Sequence, residues 1–203
     1  ISDFKDIYGY YQTLYNHPIW LIKMWETHYG KEKMLKILQD NMKEAPLTIR
    51  LNSFKLSKEE LLKNPNFICA NLCENAFYYI GKESLSSQIE MKNGSICVQD
   101  ESSQYVSLIL DPQLNDNILD MCAAPGSKTI HMATLMQNTG KILAIDLHPH
   151  RVELINKSLA HHHLSNVMTK CYDSTLLALK MRPNYFDKIL LDAPCSGLGV
   201  MKR

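Results

Sequence analysis

Apolar and polar positions follow a regular alternation in the second half of the chain. Short apolar runs that are typical of buried strands lie at 117–120, 141–146, 166–172 and 186–192. Segments with helical spacing separate them: one ends at 136, and the others cover about 149–161 and 174–180. Apolar strands separated by amphipathic helices predict a parallel, doubly wound α/β sheet of the Rossmann type.

The first half has a mixed pattern. Residues 17–45 show helical spacing that Gly30 interrupts, and 48–52 alternate like a strand before a helix start at Ser57. Residues 67–110 contain several strand-like runs. We therefore expect a small α+β domain over 1–115 and a Rossmann domain over 116–203, joined near 111–116.

Composition adds few constraints. The 203 residues are 45% hydrophobic and 21% charged, with a formal net charge of +1, so the total charge does not indicate nucleic-acid binding. No apolar run approaches the length of a membrane span, and none of the six cysteines forms a C-x-x-C pair. We expect a cytoplasmic, monomeric protein with reduced thiols. Because the chain starts without methionine and ends just after a glycine-rich turn, it is expected to be a fragment.

Basic and aromatic residues of the first half leave two interpretations open. The cations between 23 and 63 fit either an RNA-facing surface or a solvated helix face: Lys23, Lys31, Lys33, Lys36, Lys43, Arg50, Lys55, Lys58 and Lys63. Trp20 and Trp25 are expected in a core. The adjacent residues His161, His162 and His163 point to different helix faces, so no metal site is expected.

Acidic residues stand at the ends of all four predicted parallel strands: Asp120, Asp146, Asp173 and Asp192. Ligands of doubly wound sheets bind at this edge. The first strand runs into a loop of small residues, which lets a ligand approach the backbone: Cys122, Ala123, Ala124, Pro125, Gly126, Ser127 and Lys128. The loop has only one glycine and is not a phosphate loop. A nucleoside with a small zwitterionic tail fits better than a dinucleotide, and S-adenosylmethionine (SAM) has that shape.

The fourth strand leads into the sequence "DAPCSGLG", in which Pro194 and two glycines favour a tight loop. Cys195 is thereby placed near the same edge as the nucleoside. A cysteine there is suited to nucleophilic or acid–base chemistry if its thiolate is favoured, although a single loop cysteine is more often inert.

The segments "LDMCAAPGSKT" and "LLDAPCSGLGV" resemble the RsmB/Sun (NOP-type) RNA cytosine methyltransferases, and "HPIWLIKMW" and "VQDESSQYVSLIL" extend the resemblance over nearly the whole chain. The resemblance implies that Cys122 to Lys128 line the SAM pocket. It also implies that Asp146, Asp173 and Asp192 contact the ribose, the adenine side and the methionyl end. Ser127 stands where the family commonly has glycine. The first domain is expected to resemble an RNA-recognition fold.

The resemblance further implies SAM-dependent methylation of carbon 5 of a cytosine in small-subunit (16S) ribosomal RNA through a covalent cysteine adduct. The nucleophile would lie in a Thr-Cys motif beyond Arg203, and Cys195 would assist product release. DNA cytosine methyltransferases instead attack with the cysteine of a Pro-Cys pair, which leaves the opposite role for Cys195 open. Transfer RNA as the substrate, or a SAM- and RNA-binding module without turnover, are the alternatives.

Overall fold

The computed structural model describes residues 6–198. The described residues form two compact units, one of residues 6–45 together with 196–198, and one of residues 46–195. Within the described part of the chain, no helix combines the length and the apolar character that a membrane crossing needs. This division does not coincide with the predicted domains, which cover 1–115 and 116–203. The predicted domain boundaries therefore stay a prediction.

The first unit is a pair of helices, α1 (Ile7–Tyr15) and α2 (Ile19–Asn41). Gly30 has φ +80° and ψ 163° and interrupts α2, as the sequence predicts. The helices pack around a core that includes Trp25, Met34 and Leu38. Trp20, in contrast, is 61% exposed, so the prediction of a core position holds for Trp25 and is wrong for Trp20.

An antiparallel sheet opens the second unit. It contains β1 (Leu47–Leu51), β2 (Phe67–Cys69), β3 (Ala76–Tyr79) and β4 (Ile96–Val98) in the order β2-β3-β1-β4. The short helix α3 (Lys58–Leu61) lies between β1 and β2 in the sequence, and α4 (Ile89–Lys92) lies between β3 and β4. Ser57 and Glu60 form a capping box at the start of α3, which explains the predicted helix start. This order and alternation are those of the ferredoxin-like fold.

The two faces of β1 are both covered. Ile49 and Leu51 belong to an apolar core with Phe77 on one face. Arg50 points to the other face and is only 1% exposed, so neither of the two surface interpretations holds for it. The period of two in a strand places Arg50 opposite its apolar neighbours, and a covering helix there buries it.

That covering helix is α5 (Glu101–Leu110), in the stretch whose composition is strand-like. The side chain of Gln104 donates to the carbonyl oxygens of Ile49 (3.3 Å) and Gln99 (2.9 Å), which fastens α5 to the antiparallel sheet. The strand-like runs predicted within residues 67–110 correspond to β2, β3 and β4, and the last ten residues of that stretch form this helix. Tyr105 and Val106 favour strands by intrinsic propensity, but tertiary contacts of the polar positions decide the helix.

The parallel sheet follows the predicted alternation closely. It contains β5 (Asn117–Asp120), β6 (Lys141–Asp146), β7 (Val167–Cys171) and β8 (Lys188–Leu190) in the order β7-β6-β5-β8. Helices α6 (Ser127–Leu135) and α7 (Pro149–His162) follow β5 and β6, and a 3-10 segment (Ser174–Leu179) follows β7. The predicted fold class, a Rossmann-type sheet preceded by a small α+β domain, is confirmed.

Helices α5, α6 and α7 lie between the two sheets. The Ser107 hydroxyl of α5 lies 3.5 Å from the carbonyl oxygen of Lys128 in α6. At the end of α7, Nδ1 of His162 lies 3.2 Å from the Gly94 carbonyl oxygen beside β4. Helix α7 thus contacts the segment just before β4, and α6 contacts α5, which is itself bonded to the antiparallel sheet.

Candidate cofactor site

The loop from Asp120 to Ser127 is held by backbone bonds to the neighbouring strands. The amide of Met121 donates to the Leu190 carbonyl oxygen (2.9 Å), and that of Ala123 donates to Ile145 (2.8 Å). Gly126 begins α6 with φ +104°, and an added Cβ would lie 3.4 Å from Cα of Ile155. A side chain there would be strained, so the single glycine is needed for the turn and for packing against α7.

Asp120 anchors the base of the loop. Its carboxylate is buried and accepts a hydrogen bond from the Thr129 hydroxyl at 2.7 Å. Burial raises the pKa of Asp120 to about 6, although the bonds from Thr129 and the Cys122 amide favour the ionised form. A carboxylate in this position ties the end of β5 to the first turn of α6.

Asp146, at the end of β6, is 3% exposed and faces the loop. Its Oδ2 accepts from the Ala124 amide (3.2 Å) and its Oδ1 from the His148 amide (3.3 Å). Nη1 of Arg151 lies 3.5 Å from Oδ1, and Nη2 of Arg151 donates to the Ala124 carbonyl oxygen at 3.1 Å. The acid therefore has a fixed orientation beside the loop.

Lys128 and Asp192 form an ion pair of 2.5 Å that joins the start of α6 to the loop after β8. Cys122 is half-buried, and its pKa is raised by burial and, to a smaller extent, by the nearby carboxylates of Asp146 and Asp120. Its thiol is therefore kept protonated, which suits a pocket wall better than a nucleophile.

These groups surround a cavity of about 270 Å³. Of the ten residues predicted to bind the cofactor, seven line it: Cys122, Ala123, Ala124, Pro125, Ser127, Lys128 and Asp192. Cys195 lines the same cavity, together with Asp120 and Arg151. Gly126 and Asp146 do not line the cavity themselves. Gly126 belongs to the lining loop, and Asp146 accepts a hydrogen bond from the Ala124 amide of that loop.

Asp173 differs from the other strand-end acids. Its Oδ1 accepts from the amide (2.9 Å) and the hydroxyl (2.7 Å) of Thr175, and it caps the 3-10 segment. These bonds lower the pKa of Asp173. It is not among the residues that line the cavity. Its predicted contact with the adenine side stays a prediction.

Two residues that bond to the strand-end acids, Arg151 and Thr129, are not predicted from the sequence. Arg151 comes five residues after Asp146, and Thr129 comes nine residues after Asp120. The helical spacing of α7 could have indicated that the first turn faces back toward β6. Among the described residues, no group of three or more His, Cys, Asp and Glu side chains could hold a metal ion.

Comparison with known proteins agrees with this geometry. The family model described as "16S rRNA methyltransferase RsmB/F" matches residues 107–203, and the "Methyltr_RsmF/B-like, ferredoxin-like domain" matches residues 17–64. The chain belongs to the RsmB/F methyltransferase family. The resemblance predicted from the two loop motifs is thereby confirmed.

Individual members of the family match over most of the chain. The "Probable ribosomal RNA small subunit methyltransferase B" of Bacillus subtilis (strain 168) is 36% identical over 193 residues, which are 93% of this chain and 43% of that protein. The "26S rRNA (cytosine-C(5))-methyltransferase nsun-1" of Caenorhabditis elegans is 37% identical over 176 residues, 83% of this chain and 26% of that protein. The chain thus spans less than half the length of both relatives.

A solved structure of a methyltransferase homolog has a similar fold. The crystal structure of a methyltransferase homolog protein from Pyrococcus horikoshii superimposes with a TM-score of 0.83 at 29% identity, covering 98% of this chain and 67% of that one. The RsmB/F fold is therefore present in the described part of the chain.

Proposed function

We propose that the whole protein is a SAM-dependent RNA methyltransferase that acts on carbon 5 of a cytosine in small-subunit ribosomal RNA. The observation that carries the proposal is the cavity in which the small-residue loop, the Lys128–Asp192 pair and Cys195 meet. Membership of the RsmB/F family and the activities for which the two relatives are named support the reaction and the RNA class. Transfer RNA is the alternative substrate.

The donors and acceptors around the cavity fit SAM by their chemistry. The fixed carboxylate of Asp146 is suited to accept hydrogen bonds from vicinal ribose hydroxyls. Lys128 and Asp192 offer one charge of each sign for a zwitterionic amino-acid tail. Small side chains at Ala123 and Ala124 leave the backbone accessible. When bound, SAM would supply an electrophilic methyl group at this edge of the sheet.

Calorimetric titration with S-adenosylhomocysteine tests the cofactor proposal. Asp146→Ala should lose about 1–3 kcal/mol of binding free energy, because the ribose hydroxyls lose their charged acceptor. Asp40→Ala, which removes a surface carboxylate paired with Lys43, is the matched control and should bind like the parent. Equal affinity of Asp146→Ala and the parent would contradict the ribose role. A parent chain that does not bind at all would contradict a SAM pocket in residues 46–195.

Cys195 is proposed to act after methyl transfer, when a second cysteine is still bonded to carbon 6 of the cytosine. By accepting the proton from carbon 5, the Cys195 thiolate would let the double bond re-form and the attached sulfur leave. In the full-length parent, Cys195→Ala should accumulate protein covalently joined to RNA, which migrates as a slow band on a denaturing gel. Cys69→Ala, at an exposed cysteine of β2, is the control and should give no such band. If Cys195→Ala instead abolishes adduct formation, Cys195 is the nucleophile.

The substrate is tested by bisulfite sequencing of total RNA from a deletion strain. Loss of one methylated cytosine in small-subunit ribosomal RNA supports the proposal, and loss in a transfer RNA supports the alternative. An unchanged methylation map would indicate a binding module without turnover. We further propose a cytoplasmic location, because the Bacillus subtilis relative is named as a methyltransferase of small-subunit ribosomal RNA.

A further inference from the structure

We infer that Arg151 is a positioning residue that holds the carboxylate of Asp146 in the orientation that selects a ribose with both hydroxyls. The inference rests on the proposed function, since it assigns a task within the SAM site. Arg151 lines the cavity and contacts both the carboxylate of Asp146 and the carbonyl oxygen of Ala124. It would therefore act on the ligand through Asp146.

Ala124, Arg151 and Asp146 each contact the other two and so form a ring of contacts. Asp146 is the acid that is proposed to bind the ribose. The Ala124 amide donates to Oδ2 of Asp146 (3.2 Å), and the Ala124 carbonyl oxygen accepts from Nη2 of Arg151 (3.1 Å). The third side of the ring is the ion pair of 3.5 Å between Nη1 of Arg151 and Oδ1 of Asp146. The ring links the cofactor loop, β6 and α7. Movement of any one member breaks a contact with both others.

The guanidinium group is the side chain that fits this geometry. Its two terminal nitrogens reach two different acceptors, a carboxylate oxygen and a carbonyl oxygen. A lysine ammonium is a point charge on a flexible stem and does not present a planar fork. The side chain of Arg151 is 34% exposed while that of Asp146 is 3% exposed, so the arginine is the more accessible member of the ion pair.

Helix stability does not explain this arginine. Arg151 lies in the first turn of α7, which begins at Pro149 and contains no acidic residue in that turn. The positive end of the helix dipole disfavours a cation there. A residue placed against the local electrostatic preference needs a compensating partner, and Asp146 with the Ala124 carbonyl supplies it.

The test compares two probes, S-adenosylhomocysteine and its 2′-deoxyribose analogue, by calorimetric titration of the full 203-residue chain. The parent should bind S-adenosylhomocysteine about tenfold more tightly than the analogue, the equivalent of one hydrogen bond to a charged group. In Arg151→Met this ratio should fall toward one. Adding Arg151→Met to Asp146→Ala should change the ratio no further, because both act through one carboxylate.

Two further variants separate positioning from folding. Lys157→Met makes the same chemical change at an exposed site of α7 and should keep the parent ratio. Arg151→Lys keeps the charge but not the fork, and should give an intermediate ratio with an unchanged thermal unfolding midpoint. A parent ratio in Arg151→Met, or loss of folded protein in both Arg151 variants, would overturn the inference. A parent that binds neither probe would contradict the proposed function itself.

Discussion

The two sheets of the unit formed by residues 46–195 use polar side chains in opposite ways. In the parallel sheet, Asp120 and Asp146 stand at strand ends, where the chain turns into a loop beside the cavity. In the antiparallel sheet, Arg50 lies in the middle of β1, with Gln99 just beyond β4, and both are almost completely buried. Asp120 lines the cavity and Asp146 contacts the loop that lines it, whereas Arg50 and Gln99 are buried away from it.

The difference follows from where backbone groups become free. At a strand end, loop amides have no ladder partner, so they can orient a carboxylate and still leave space for a ligand. In mid-strand the backbone is fully paired, and a polar side chain must find partners within the covering layer. Arg50 donates from Nε to Oε1 of Gln99 at 2.6 Å and from Nη2 to Sγ of Cys97 at 3.2 Å. Across the described residues, no carboxylate forms an ion pair with it.

The largest expected effect on stability comes from removing the buried arginine of the antiparallel sheet. Arg50→Ala should lower the free energy of unfolding by about 3–4 kcal/mol, because it leaves a cavity and an unpaired buried Gln99 oxygen. Lys43→Ala, at an exposed cation, is the control and should change stability by less than about 0.5 kcal/mol. Urea denaturation measures both. Similar small losses for the two variants would show that the buried arginine is not structural.

The same contrast explains what the sequence predicts well. The parallel strands contain short apolar runs and are separated by helices, so their approximate positions follow from periodicity. Arg50 cannot be distinguished from the surface lysines of residues 23–63 by its neighbours in sequence. Its burial depends on α5, which lies about 50 residues later in the sequence. Arg151 was missed because its partners come from two other elements.

A second prediction concerns the pH dependence of stability that the buried His131 of α6 causes. Burial, with a smaller contribution from the charge of Arg50, lowers the pKa of His131 to about 2. The unfolded chain protonates this histidine below its ordinary pKa of 6.5, so unfolding takes up a proton and stability falls as pH falls below 6.5. Moving from pH 7 to pH 4.5 should cost about 2–3 kcal/mol from this group. His131→Gln should remove most of that loss in urea denaturation at the two pH values.

Asp120 affects the pH dependence of stability in the opposite direction to His131. Its folded-state pKa of about 6 is above the value of 3.8 for an ordinary aspartate, so its contribution is present below pH 4 and is lost as pH rises through 6. In Asp120→Asn the acid loss caused by His131 should therefore appear steeper between pH 4 and 6. A variant with an unchanged slope would contradict the raised pKa of Asp120.

The smallest expected effect concerns the bond that joins β5 to α6. Thr129→Val keeps the shape of the side chain but removes the hydroxyl that donates to Oδ2 of Asp120 at 2.7 Å. Because the buried carboxylate then lacks one donor, unfolding free energy at pH 7 should fall by about 1–2 kcal/mol. Thr27→Val removes a hydroxyl that bonds a carbonyl on the exposed surface of α2, and should stay within about 0.5 kcal/mol of the parent. Thermal unfolding resolves this difference. If Thr129→Val also weakens binding of S-adenosylhomocysteine, then Asp120 holds the loop in its binding conformation. An unchanged unfolding free energy would instead show that Asp120 keeps its position without the Thr129 hydroxyl.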